Sequence, residues 1–122
     1  VLVNFLVLPN QNRLRRREDF AKVYANGDRY RGTYLNLRIL FDSNAEFTKI
    51  GIVVSKKVSK LAVSRNRFKR QLRAIFRQLL SQLKSGLQIV VTVIASQSRP
   101  NYQQLWDDLR NLLAKAKVLH GS

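Results

Sequence analysis

The chain has 122 residues and 45% hydrophobic content, enough for one domain with a modest core, which excludes wholesale disorder. A formal net charge of +16, from 23 basic against 7 acidic residues, implies an anionic partner, nucleic acid before anionic membrane. The absence of cysteine excludes disulfides and thiolate metal sites and fits a reducing, cytoplasmic compartment.

Residues 1–8 are apolar apart from Asn4. They are too short to span a bilayer, which takes about 20 apolar residues, and they lack the basic lead of a signal peptide. Residues 1–11 are read as an N-terminal extension with no assigned function. The polar, basic stretch at 10–17 carries Arg13, Arg15, Arg16 and Arg17. Glu18 and Asp19 then suit the first turn of a helix. Phe20, Val23 and Tyr24 follow at i, i+3 and i+4, and Gly27 stops the helix. Arg29 and Tyr30 allow a short strand.

Residues 33–41 alternate, with Leu35, Leu37, Ile39 and Phe41 on one side and Tyr34, Asn36, Arg38 and Leu40 on the other. That is a half-buried strand. After the turn residues Asp42, Ser43 and Asn44, residues 49–55 form a second strand, expected to pair with the first as an antiparallel hairpin. A long helix follows over 62–84, ended by Ser85 and Gly86. Residues 88–95 are β-branched and extended. Asn101 with Gln104 has the spacing of a capping box. Tyr102, Leu105, Trp106, Leu109, Leu112 and Leu113 mark a final amphipathic helix. The order is α-β-β-α-β-α plus the short strand at Arg29, with neither repeat nor linker. The fold class is α+β, a single domain with one sheet packed by helices.

Within the long helix, residues 64–77 hold six cations and no carboxylate. Phe68, Leu72, Ile75, Phe76 and Leu79 form one apolar stripe at roughly 100° per residue, and Asn66, Arg70, Arg73 and Arg77 fall opposite. Exposed helix faces ordinarily mix both signs, because Glu and Lys at i,i+4 support the helix. Here no Asp or Glu occurs between Phe47 and Trp106, against twelve Lys and Arg. Arginine on this rail suits bidentate phosphate contacts. Arg65 sits over the apolar stripe by helical phase and has to reach around from the first turn.

Catalytic chemistry is sparse. His120 is the single histidine, two residues from the end, so a histidine- or cysteine-dependent triad is excluded. The seven acids are Glu18, Asp19, Asp28, Asp42, Glu46, Asp107 and Asp108, too scattered for a two-metal nuclease. The adjacent pairs, Glu18/Asp19 and Asp107/Asp108, read as complements to helix dipoles. No Gly-rich phosphate loop is present.

Lys56 and Lys57, followed by Ala62, Val63, Ser64, Arg65, Asn66, Arg67, Phe68, Lys69 and Arg70, resemble the protein subunit of bacterial ribonuclease P. That family carries an Arg-Asn-Arg signature on its long helix, matched by Arg65, Asn66 and Arg67, then Lys-Arg, matched by Lys69 and Arg70. Its Asn-Arg-Leu lead-in is matched by Asn12, Arg13 and Leu14. Its Asp-Phe-x-x-Val-aromatic helix is matched from Asp19 to Tyr24, and its strand ending in Ser-Lys-Lys by Ser55, Lys56 and Lys57. The resemblance covers residues 12–118, leaving 119–122 as a tail.

The resemblance implies an α-β-β-β-α-β-α fold with an uncommon left-handed βαβ crossover, against the usual hand of such connections. It implies a protein that joins a catalytic RNA, which removes the 5′ leader of precursor tRNA with Mg²⁺ bound mainly by the RNA. No catalytic or metal-binding residue and no protein partner is then required in this chain. The implied RNA-binding residues are Lys56, Lys57, Lys60, Arg65, Asn66, Arg67, Lys69, Arg70, Arg73 and Arg77. Arg13, Phe20, Tyr24 and Tyr34 are assigned to the leader, with the three rings expected to meet in one cleft. Single strands bind by aromatic stacking within basic grooves. The rival readings are another basic RNA-binding module such as a ribosomal protein, an autonomous nuclease, and a binder of anionic membranes.

Overall fold

A computed structural model describes residues 8–96 and 99–120. Three helices, α1 (Arg17–Asn26), α2 (Ala62–Leu79) and α3 (Tyr102–Lys115), pack on four strands, β1 (Asp28–Arg31), β2 (Leu35–Phe41), β3 (Lys49–Val53) and β4 (Leu87–Val93). The strand order is β1-β2-β4-β3. β1 and β4 both pair antiparallel with β2, and β3 pairs parallel with β4. The expected β2–β3 hairpin is therefore wrong: β4 lies between the two strands, and β3 returns to it through α2 as a βαβ unit. The turn residues after β2 are compatible with a hairpin. The apolar run of β4 decides otherwise, because it needs neighbours on both edges.

Strand alternation divides the sheet into two unlike faces. Leu35, Leu37, Ile39, Ile50, Ile89, Val91 and Val93 join α2 and α3 in the main core. On the other face Val90 meets Leu14 and Val23, with Phe20, Leu40 and Val53 packed around them. α1 covers that second face by itself among the three helices, which leaves part of the sheet open beside it.

Several local devices set the geometry. Gly27 ends α1 without a left-handed φ; a Cβ there would stand 2.6 Å from the Val23 carbonyl oxygen. Gly86, at φ +76, is the left-handed residue that turns the chain into β4. α2 is shorter than the periodicity suggests: it tightens into a 3-10 turn at Leu80–Gln82, and Leu83 then bridges to Leu119. α3 begins with the expected capping box, Asn101 accepting from the Gln104 amide at 2.8 Å and Gln104 accepting from the Asn101 amide at 2.9 Å.

The ends are tied to the core. Leu8, which the sequence reading places in the extension, is 1% exposed. Asn12, also buried, donates to the Thr48 carbonyl oxygen at 2.8 Å. Leu119 is buried, and the His120 amide donates to Gln82 O at 2.7 Å while its side chain is exposed. Residues 1–7 of the extension lie outside the described residues. Among the described residues, no helix is long and apolar enough to cross a membrane.

Asp108 corrects another expectation. It lies in the middle of α3, so it does not complement the helix dipole. Its buried carboxylate accepts from the backbone amides of Thr33 at 3.0 Å, Tyr34 at 2.8 Å and Leu35 at 2.9 Å, which pins the β1–β2 turn to α3.

Candidate nucleic-acid interface

α2 buries Phe68, Leu72, Ile75, Phe76 and Leu79 as its apolar stripe requires. Its cations occupy two flanks. Arg67 and Arg70 are exposed on the flank facing α3, where they line a groove with Gln71, Ala74 and Tyr102. Arg73 turns the other way, towards the edge of β3, into a recess of about 180 Å³ shared with Arg13, Arg15, Phe20 and Gly51. Burial, and then the charge of Arg13, lower the pKa of Arg73 from the ordinary arginine value. No carboxylate lines that recess. Two guanidiniums held side by side without an anion between them form a site suited to phosphate.

Arg65 does reach around from the first turn, as its phase requires, but towards its own chain. Its Nη1 donates to the carbonyl oxygens of Ser59 and Lys60, both at 2.9 Å, and so braces the loop before α2. Lys56 and Lys57 lie exposed in the turn after β3, closed by a bond from the Val58 amide to Ser55 O. Lys60 and Asn66 are exposed, and Lys69 and Arg77 half-buried.

On the opposite face of the sheet, α1 and the strands enclose a cleft of about 470 Å³. Tyr24 lines it with Arg29, Arg31, Asn36, Arg38 and Thr92, and no carboxylate is among the lining residues. Register explains the grouping. Arg29 pairs with Arg38, Arg31 with Asn36, and Asn36 with Thr92, so these side chains share one face. Directly opposed like charges destabilise a sheet, and an anion bound in the cleft would relieve that cost. Phe20, one turn before Tyr24, lies against Gly51: a Cβ at Gly51 would stand 2.5 Å from its ring.

The three expected rings do not meet. Phe20 and Tyr24 face the cleft side, whereas Tyr34 precedes β2 and packs on the main core. Its hydroxyl accepts from Gln104 Nε2 on α3 at 3.0 Å. Strand alternation misplaces Tyr34 because Asp108 holds this residue in the turn, before the strand's regular pleat begins.

Comparison with known proteins gives the framework. A family model described as Ribonuclease P matches residues 8–117. The chain belongs to the ribonuclease P protein family. A ribonuclease P protein component from Pseudanabaena sp. is 83% identical over 116 residues, covering 95% of this chain and 100% of that protein. One from Microcystis aeruginosa is 42% identical, covering 93% and 98%. The RNase P protein of Staphylococcus aureus matches the fold with a TM-score of 0.81 at 26% identity, over 89% of this chain and 98% of that one. The Thermotoga maritima RNase P protein gives 0.75 at 30% identity, over 84% and 96%.

Within this family frame, sequence reasoning missed Arg29, Arg31, Asn36, Arg38 and Thr92 as cleft residues. Alternation already put Asn36 and Arg38 on one polar face. What was missing was the partner of each strand, because the assumed hairpin sent β2 to the wrong neighbour.

Proposed function

We propose that this chain is the protein subunit of ribonuclease P and serves two RNA partners at once. α2, together with Lys56, Lys57 and Lys60, binds the catalytic RNA through Arg67, Arg70, Arg73 and their neighbours. The cleft between α1 and the sheet holds the single-stranded 5′ leader of precursor tRNA, with Tyr24 as a stacking surface and Arg29, Arg31 and Arg38 as backbone contacts. Arg13 and Phe20 extend this path towards Arg73.

The observation that carries the reading is that two cationic surfaces whose linings hold no carboxylate, the α1 cleft and the α2–α3 groove, lie on opposite sides of one sheet. A single RNA-binding role needs one such surface. Discrimination of precursor from mature tRNA needs a second, reached only by the leader. Catalysis is assigned to the RNA. Among the described residues no group of three or more His, Cys, Asp or Glu side chains is placed to hold a metal ion. The contribution proposed for this chain is binding and positioning.

The test is reconstitution of the chain with its catalytic RNA. Affinity for precursor tRNA bearing a leader of several nucleotides should rise on adding protein, while affinity for mature tRNA stays nearly constant. An equal rise for both would overturn the leader assignment.

A further inference from the structure

Tyr102 belongs to the apolar stripe of α3, yet it is 36% exposed. It is the first residue of that helix, and its hydroxyl accepts from Gln78 Nε2 on α2 at 2.9 Å. That bond fixes the ring across the groove between the two helices. The groove has a volume of about 250 Å³, and Arg67, Arg70, Gln71 and Ala74 complete its walls. A neighbouring recess of about 290 Å³, which shares Arg67, Gln71 and Tyr102, adds Phe68 and Arg99. No carboxylate lines either space.

An aromatic ring and apolar side chains with guanidiniums at the rim match one ligand chemistry well: a base on the ring and a phosphate on the arginines. A base inside a duplex has both faces covered, so the nucleotide has to be unpaired. We propose that the α2–α3 groove takes one unpaired nucleotide of the RNA subunit, its base stacked on Tyr102 and its phosphate held by Arg67 and Arg70, with Arg99 beyond. The proposal rests on the reading of this chain as a ribonuclease P subunit. The RNA subunit is the source because α1 and its cleft lie on the opposite face of the sheet, so a leader strand bound there has the sheet between it and Tyr102.

The experiment measures assembly of the full chain with the RNA subunit, by filter binding, for wild type, Tyr102→Ala, Tyr102→Leu and Tyr102→Phe. Loss of one stacked base should raise the dissociation constant roughly 5- to 150-fold for the Ala variant. Tyr102→Leu keeps apolar bulk and helix propensity but lacks the π face. It should lose affinity too, and it carries the test if the Ala variant does not fold. Tyr102→Phe keeps the stack and should restore assembly. The preference of the assembled complexes for precursor over mature tRNA should not change.

Assembly unchanged in both Ala and Leu variants would overturn the proposal. A loss in Tyr102→Phe equal to that in Tyr102→Ala would also overturn it, since the bond to Gln78 would then be what matters. So would a loss confined to precursor binding, which would make the leader the occupant. Failure of the wild-type chain to assemble would instead sink the underlying function, so the two failures are distinguishable.

Discussion

The guanidinium of Arg38 stands 5.4 Å from the centre of the Tyr24 ring, and its Nη1 donates to the Tyr24 carbonyl oxygen at 2.6 Å. One arginine of the sheet thus fixes both the last turn of α1 and the tilt of the aromatic ring that opens onto the cleft. Its cation sits against the ring's electron-rich face. The contact preorganises a stacking surface, so a bound strand need not order it.

Tyr24→Ala should therefore weaken binding of leader-bearing precursor by about 1–3 kcal/mol, the worth of one stacked base. Mature tRNA binding and assembly with the RNA subunit should be nearly unchanged, and Tyr24→Phe should behave as wild type. Equilibrium binding of both tRNA forms to the reconstituted complex checks this. Tyr34, which the alternation pattern nominates as the probe, should instead lower the melting temperature on change to Ala, because its hydroxyl and ring serve the α3 contact.

Arg65 and Arg67 belong to the same signature but should fail differently. Arg67→Ala removes an exposed cation. It should weaken assembly by about 1–3 kcal/mol, as loss of a charge-assisted bond does, and make the log–log salt dependence shallower. The melting temperature should hold. Arg65→Ala also frees the Ser59 and Lys60 carbonyls from their brace. It should lower both assembly and melting temperature, and Arg65→Lys should not rescue it fully, since both bonds come from Nη1, one bond further from the backbone than a lysine ammonium. Identical thermal denaturation of Arg65→Ala and wild type would refute the bracing role.

Asp108 carries a third prediction, about the sheet. Hydrogen bonds to a charged acceptor are worth about 1.5–3 kcal/mol each, and buried donors left without partners add a cost. Asp108→Ala strands three amides at once and should destabilise the domain by at least about 2 kcal/mol. Asp108→Asn keeps one acceptor oxygen and should lose less. Gly32→Ala should resemble the Ala variant, because a Cβ there would lie 2.6 Å from both carboxylate oxygens. Urea denaturation of the three variants gives the order.

Helix identity was legible because α2 and α3 carry long, unbroken 3.6-residue stripes, and the capping box at Asn101 was legible because it is local. The cationic rail and its missing carboxylates were equally plain, since charge needs no fold to be counted. Strand partners were not legible. Asp42, Ser43 and Asn44 mark a turn but do not say which strand comes back, and the parallel β3–β4 pairing depends on an apolar run 38 residues further on from Lys49 to Leu87. Asp108 looked like a dipole complement because its three partners lie more than 70 residues away in sequence. The division of the rail into two flanks likewise depends on what α2 packs beside, Tyr102 on one side and Arg13 on the other.

The Arg13–Arg73 pair gives the last prediction. Burial of Arg73, and then the charge of Arg13 beside it, disfavour the charged form of Arg73 and lower its pKa from the ordinary arginine value. Their mutual repulsion and the burial of Arg73 are then a standing cost of the free chain, added to a net charge of +16. An anion that binds the folded pair relieves this cost and raises apparent stability by mass action. Sulfate should therefore raise the melting temperature well beyond the effect of chloride at equal ionic strength. Arg73→Gln should melt higher than wild type at low salt, because the repulsion is gone, and should respond less to sulfate. Circular dichroism melts across a sulfate titration check both signs. A sulfate response of the same size in Arg73→Gln and wild type would place the anion elsewhere on the rail.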